Sequence, residues 1–401
     1  MQDTHHHKYK FDWQQNNHFE LLTDGPQFFP AMLADIHLAS HYILLEMYLA
    51  NPGRISNLFF TALAAAAQRG VTTCLLLDDF GSRNISEEQR RQLIDSGIHL
   101  AIYNPLLTRK RSLMLFRDHR KLLVIDGTTA YVGGAALSDE LDQIDTPQHN
   151  WRENMVRITG QNVVQWQQLF VENWENWSSA QLPAHTHHSA PSIIISTTQW
   201  GRVTMTQGPR LLEIKRSFIN HVRRARQRVW FCTAYFAPSR KLRSALYKAA
   251  AKGVDVRILI PGEITDNLMA RCLAQHYYST LLRKGVRIYE YQPRFMHAKL
   301  VLCDDWVSVG SCNVDRWNFL WNLDANQEID DPGFSTQIIK IFEQDFSDSK
   351  EILLDTWRNR SFISRMRVAF WASYIHLADV MFNYLGIIRY WRKLRKARSQ
   401  S

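Results

Sequence analysis

FRDHRKLLVIDG (116–127) and RFMHAKLVLCDD (294–305) are the stretches on which the reading of this chain turns. Each sets His and Lys two residues apart, then an apolar run, then Asp. The first trio is His119, Lys121 and Asp126; the second is His297, Lys299 and Asp304. Residues two apart in an extended strand share a face, so imidazole and ammonium point the same way. The Asp falls at the strand's far end, where the chain turns. Such a strand suits a phosphate, because lysine neutralises the non-bridging oxygens while histidine attacks phosphorus or carries protons. One trio is a weak signal, whereas two at equivalent places are a strong one.

The trios close a longer repeat. Asp24-Gly25-Pro26, a helical FFPAMLADIHLAS and a buried ILLEMYLA match Gln207-Gly208-Pro209, LLEIKRSFINHVRRA and VWFCTAYFA. TALAAAAQRGVTTCLLLDD then matches SALYKAAAKGVDVRILIPG. Each is a small-residue helix stopped at a glycine, Gly70 or Gly253, and followed by a β-rich run. SGIHLAIYNP (96–105) matches KGVRIYEYQP (284–293). Helices alternating with short apolar strands predict an α/β chain of two tandem α/β/α sandwich repeats, each with a mostly parallel sheet, related by a pseudo-twofold. The segment SSAQLPAHTHHSAPS (178–192) is poor in large apolar residues and reads as a linker. The expected division is therefore 1–177, the 178–192 linker, 193–355, and a tail over 356–401.

With 45% apolar residues the 401-residue chain has the means for a large core, which excludes global disorder. The formal charge of +10 calls for a phosphate-rich partner, either nucleic acid or an anionic membrane. Five cysteines form no C-x-x-C pair, and Cys74, Cys232 and Cys303 lie in apolar runs, so a core role is expected. MQDTHHHKYKFDWQQ has no apolar core of a secretory signal. His5, His6 and His7 read as a solvated tail, and His185, His187 and His188 as linker. No carboxylate cluster of the kind a metal needs is present in the sequence, and neither metal nor cofactor is expected.

On these motifs the chain resembles the phospholipase D superfamily, and within it the shorter, non-transmembrane bacterial cardiolipin synthases. The resemblance runs from about Phe19 to about Asp355. It also includes Gly133-Gly134 and Trp151-Arg152-Glu153 after the first trio, and Gly310-Ser311-x-Asn313 and Asn322-Leu323-Asp324 after the second. It implies a two-step phosphodiester exchange through a phosphatidyl-histidine, with His119, Lys121, Asp126, His297, Lys299 and Asp304 as the catalytic residues. His119 is assigned as nucleophile and His297 as general acid, with near-symmetry leaving the reverse open. Lys121, Lys299, Ser311 and Asn313 would hold the phosphoryl oxygens, and Glu153 and Asp324 would orient the imidazoles. Two departures stand out. Ala136 replaces an expected Asn, and Asp324 stands where Glu is more usual.

Two surfaces remain. NPLLTRKRSLMLFRD (104–118) is either a headgroup-binding loop or one packing its leucines inward. VAFWASYIHLADVMFNYLGII (368–388) is long enough to span a bilayer but carries His376, Asp379 and Asn383, and a polybasic end follows. An amphipathic surface helix fits it better than a span. The run Arg223, Arg224, Arg226 and Arg228 reads as a solvated face. Phospholipids and an anionic membrane are the expected partners, without nucleic acid, at the cytoplasmic face of a bacterial inner membrane. The sequence leaves the oligomeric state open. The rival readings are a nuclease or phosphodiesterase of the same superfamily and a catalytically weak lipid-binding protein.

Overall fold

Both halves of the chain run through one succession of elements. The first comprises β1 (Gln14–Thr23), α1 (Gly25–Leu38), β2 (Tyr42–Met47), α2 (Arg54–Gln68), β3 (Thr72–Asp78), α3 (Glu87–Asp95), β4 (His99–Tyr103), β5 (Lys121–Ile125), β6 (Thr129–Gly133), β7 (Asn154–Gly160) and α4 (Asn162–Trp177). The second comprises β8 (Gln199–Gln207), α5 (Glu213–Arg224), β9 (Arg228–Cys232), α6 (Arg240–Ala251), β10 (Asp255–Pro261), α7 (Leu268–Arg283), β11 (Arg287–Tyr291), β12 (Leu300–Cys303), β13 (Trp306–Gly310), β14 (Asn322–Asp330) and α8 (Pro332–Ser347). The computed structural model describes residues 9–105, 116–142, 150–182, 186, 199–208, 211–315, 319, 321–363, 365–371 and 373–374. The amino-terminal histidines, the basic loop over 106–115, most of the linker and the end from 375 onward lie outside the described residues.

The strands join edge to edge in the order β4-β3-β2-β5-β6-β7-β1, continued by β8-β14-β13-β12-β9-β10-β11. The second run repeats the first in reverse, so the pseudo-twofold passes between β1 and β8. Within this order β2-β3-β4 and β9-β10-β11 are parallel and the other neighbours antiparallel, so the sheet is mixed rather than mostly parallel. The cause is local. After β5 the chain reverses at Asp126 and Gly127, both with positive φ, so β6 must return antiparallel. Asp304 makes the matching reversal after β12.

Sheet faces follow the alternation of the strands. On β2, Ile43 and Leu45 pack with α1 and α2, while Tyr42 and Leu44 turn to the face covered by α4. α4 and α8 share a single core with strands from both halves, through residues such as Trp166, Phe170, Phe334 and Phe342. Each phenylalanine so buried contributes about 1.5–3 kcal/mol relative to exposure, which ties the halves into one body. The Trp166 indole N–H also donates to Gln327 across the seam (2.8 Å). The helical stops read from the sequence are in place: Gly70 and Gly253 take φ of 89° and 85° where α2 and α6 end.

Candidate active site

The two trios meet because each is hooked into the opposite half. Arg117–Asp118, just before the first trio, pairs in parallel with Asn322–Leu323, and the His119 amide donates to the Leu323 carbonyl (2.9 Å). Phe295–Met296 pairs in the same way with Trp151–Arg152, and the His297 amide donates to the Arg152 carbonyl (2.9 Å). The next residue along each bridge is acidic. As a result His119 Nδ1 lies 2.8 Å from Asp324 Oδ1, and His297 Nδ1 lies 2.5 Å from Glu153 Oε2. The carboxylate of each half therefore serves the histidine of the other. With Nδ1 engaged, Nε2 is the nitrogen left to react.

The four basic groups are nearly dry. Burial lowers the His119 pKa to about 4 and the His297 pKa to about 3, and the neighbouring lysines push the same way. Burial and the Lys299 charge bring Lys121 down to about 7, and burial also lowers Lys299. Glu153 goes the other way. Burial would raise it, but Lys299, 3.6 Å away, and His297 outweigh that and bring it to about 2. Lys121 donates to the His119 carbonyl (2.6 Å), and Lys299 donates to the His297 carbonyl. The resting site thus holds neutral imidazoles beside buried cations, an environment that draws in an anion.

Beneath the symmetry, matched pairs differ together. Gly134 and Ser311 occupy equivalent places, one residue past β6 and β13. A Cβ on Gly134 would stand 2.2 Å from Glu153 Oε2, so the longer acid needs the glycine. Asp324 is shorter by one methylene, and the Ser311 hydroxyl fills the gap and donates to it (2.8 Å). This accounts for the Asp where Glu was expected. Ala136 has a similar explanation. Its counterpart Asn313 accepts a hydrogen bond from Thr233 (3.4 Å), and strand register puts Met47 where Thr233 stands. Met47 and Ala136 both lie in the apolar core of the first half, so the polar pair is replaced as a unit.

Asp126 and Asp304 stay away from the reacting groups. Five residues of strand separate Asp126 from Lys121, about 16 Å. Asp126 accepts backbone N–H groups from Ser40, His41 and Tyr42 (each 2.8 Å), and Asp304 accepts from Arg226, Gln227 and Arg228 (2.8, 2.9 and 3.0 Å). Their geometry is that of clamps fixing the strand. A catalytic placement of these two, as first read, therefore gives way to a positioning one.

Several supporting residues were given no site role from sequence. Asp78 accepts the Asp118 amide (2.9 Å) and pairs with Arg117 (3.5 Å), steadying the approach to His119; burial raises its pKa to about 6. The doubled Asp at the end of LLLDD was the available signal. Asp24, in the Asp-Gly-Pro turn, accepts the Glu153 amide (3.0 Å) and pairs with Arg294. Tyr48 covers His119 edge-on (centroids 4.8 Å), and Trp151 lies over His297 (4.7 Å).

Two neutral imidazoles with free Nε2 atoms, two ammoniums and crossed carboxylates can exchange one phosphodiester for another through a histidine adduct. Comparison with known proteins agrees. The family described as "Cardiolipin synthase, PLD-like domain" matches residues 32–174 and 218–346. The chain belongs to this phospholipase D-like family of cardiolipin synthases. This family member is 34% identical to cardiolipin synthase B of Salmonella typhimurium over 81% of its length and 79% of the relative's. It is 30% identical to the minor cardiolipin synthase ClsB of Bacillus subtilis, over 89% and 88% of the two chains. Among solved structures, the phosphatidylserine synthase of Haemophilus influenzae superposes with a TM-score of 0.69 at 13% identity, covering 92% of this chain and 94% of that one. That last likeness speaks for the fold alone.

Proposed function

We propose that this cardiolipin synthase moves a phosphatidyl group from one phospholipid onto the headgroup hydroxyl of phosphatidylglycerol, with phosphatidylglycerol or phosphatidylethanolamine as donor. The observation that carries this reading is the crossed pairing of His119 with Asp324 and His297 with Glu153. His119 Nε2 attacks phosphorus and forms the P–N bond as the headgroup oxygen leaves, taking its proton from His297. An acceptor hydroxyl then returns a proton to His297 while its oxygen forms the new P–O bond and the P–N bond breaks. His297 is neutral at rest, so it acquires its proton as the phosphodiester anion enters and its charge favours the imidazolium. Lys121, Lys299 and Asn313 are the groups suited to the phosphoryl oxygens, whereas the Ser311 hydroxyl expected to join them gives its proton to Asp324.

A peripheral membrane setting, at the cytoplasmic face, belongs to the same proposal, with the tail over 356–401 as its anchor. Residues 362–363, 365–371 and 373–374 are helical. Phe362, Met366, Phe370 and Tyr374, spaced four apart, are 72%, 53%, 63% and 57% exposed, an apolar stripe that the protein's own core leaves uncovered. Arg365 and Arg367 flank it. No described helix is long and apolar enough to cross a membrane. A stripe with cations beside it suits the headgroup boundary of an anionic bilayer.

The test is purified protein in mixed micelles with labelled phosphatidylglycerol, with and without phosphatidylethanolamine, and products read by mass spectrometry. New cardiolipin that disappears in His119→Ala supports the reading. Cleavage of labelled single-stranded DNA without any lipid product would replace it with the nuclease reading.

A further inference from the structure

The mouth of the site breaks the pseudo-twofold in a way the transfer reaction can use. Strand register aligns β2 with β9 and β3 with β10. On that alignment Tyr48, which covers His119 and lies 5.0 Å from Lys121 Nζ, corresponds to Ala234, which has no ring to place there. The next residue, Tyr235, turns its hydroxyl to the Asp266 carboxylate instead. Asp266 lies five residues past the end of β10. The residue five past the end of β3 is Arg83, stacked on exposed Phe80 at 4.7 Å. One side of the mouth is therefore cationic and the other carries an exposed carboxylate held by a phenol.

These groups look onto the reacting centre. Asp266 is within electrostatic reach of the Lys299 ammonium, and Tyr235 of both Asp266 and Tyr48. Crowding raises the Asp266 carboxyl above its ordinary value, opposed by the Tyr235 hydrogen bond and by Lys299. A carboxylate here repels the phosphoryl group itself. What it accepts is a hydrogen-bond donor a few bonds from phosphorus, a hydroxyl or an ammonium. That is the chemistry of the headgroup, which must stand beside the acid–base histidine both when it leaves and when its replacement arrives.

We propose that Asp266, oriented by Tyr235, is the headgroup-recognition residue on the His297 side, selecting donors and acceptors whose headgroup ends in hydroxyl or ammonium. The proposal rests on the phosphatidyltransferase reading. In it, leaving and incoming headgroups occupy one subsite in turn, and the acyl chains account for none of the discrimination made there. Asp266 makes no bond to phosphorus, and the proton balance of the transfer is unchanged.

The experiment compares full-length wild type, Asp266→Asn and Tyr235→Phe on phosphatidylglycerol, phosphatidylethanolamine and phosphatidylmethanol in micelles. Released headgroup alcohol and cardiolipin are measured separately. Losing a hydrogen bond to a charged group predicts that the kcat/KM preference for phosphatidylglycerol over phosphatidylmethanol falls roughly 10–100-fold in Asp266→Asn, chiefly through KM. Tyr235→Phe should move it the same way by less. The phosphatidylethanolamine arm separates ammonium from hydroxyl, since the donor whose preference falls further is the one Asp266 reads. An unchanged preference overturns the proposal, as does equal loss on all three donors, which would mean that Asp266 acts only through Lys299. Headgroup release without cardiolipin would sink the transferase reading while the preference ratio still decides the role of Asp266.

Discussion

Replacing Asp324 by Glu restores the acid that is more usual at this position, yet the structure predicts that it harms the enzyme. Asp324 is fully buried, with the Ser311 hydroxyl 2.8 Å from one oxygen and His119 Nδ1 2.8 Å from the same oxygen. The mirror site shows what a Glu requires: Gly134, where a Cβ would stand 2.2 Å from the Glu153 carboxylate. An added methylene against Ser311 has no such space, and overpacking of this kind costs about 1–3 kcal/mol. Displacing the carboxylate from His119 adds a loss of activity. Removing the obstacle in Asp324→Glu/Ser311→Gly rebuilds the first-half arrangement and should recover most of both, with a coupling of about 1 kcal/mol or more. Denaturation midpoints and initial rates of cardiolipin formation on all four proteins read the cycle. The reasoning is refuted if Asp324→Glu alone matches wild type, or if the double variant is no better than the sum of the singles.

Four further outcomes are expected. The kcat/KM profile should fall on the alkaline side, since anion binding needs protonated Lys121: activity is lost as pH rises through about 7. Steady-state rates across pH check this, and Lys121→Arg, which cannot deprotonate in this range, should extend the alkaline side. Asp126→Ala removes an acceptor of three backbone N–H groups, so it should lose about 2–4 kcal/mol of stability in denaturant titration while remaining folded molecules keep far more activity than His119→Ala. Ala136→Asn buries an amide where Met47 supplies no partner, and should lower stability by about 1–3 kcal/mol without raising activity; adding Met47→Thr should recover part of that loss in the same titration. Replacing Phe362, Met366 and Phe370 by Ser together should weaken sedimentation with anionic vesicles at least tenfold while activity on micelles falls less.

Much of this architecture was open to reading because it is written twice. Helix stops at Gly70 and Gly253, and the His-x-Lys strands, occur at matched places, and each copy vouches for the other. What stayed hidden has physical causes. The mixed sheet turns on the reversals at Asp126 and Asp304, which the residues mark as turns without saying which strands the reversed segments will lie beside. The apolar runs of β5 and β12 are buried on both faces, and a run of that kind looks the same whether its neighbours are parallel or antiparallel. The crossed pairing of histidines and carboxylates depends on two-residue bridges between halves, far too short to leave a periodic signal. Compensation at Gly134 and Ser311, and at Ala136 and Asn313, emerges only when strand register sets the two halves side by side. Asp78, Tyr235 and Asp266 gather at the site from strand ends and loops, where local sequence says little about what a side chain faces.

The central claim is that both halves build one site in which His119 carries the phosphatidyl group. The most direct test is turnover of phosphorus-labelled phosphatidylglycerol by wild type and His297→Ala, quenched in denaturant at alkaline pH, where the P–N bond survives, followed by peptide mapping of the adduct. The account predicts label on His119 Nε2, persisting longer in His297→Ala because attack of the acceptor hydroxyl on phosphorus lacks its base, and none in His119→Ala. Label on His297 in the wild type, or turnover with label on neither histidine, would contradict it.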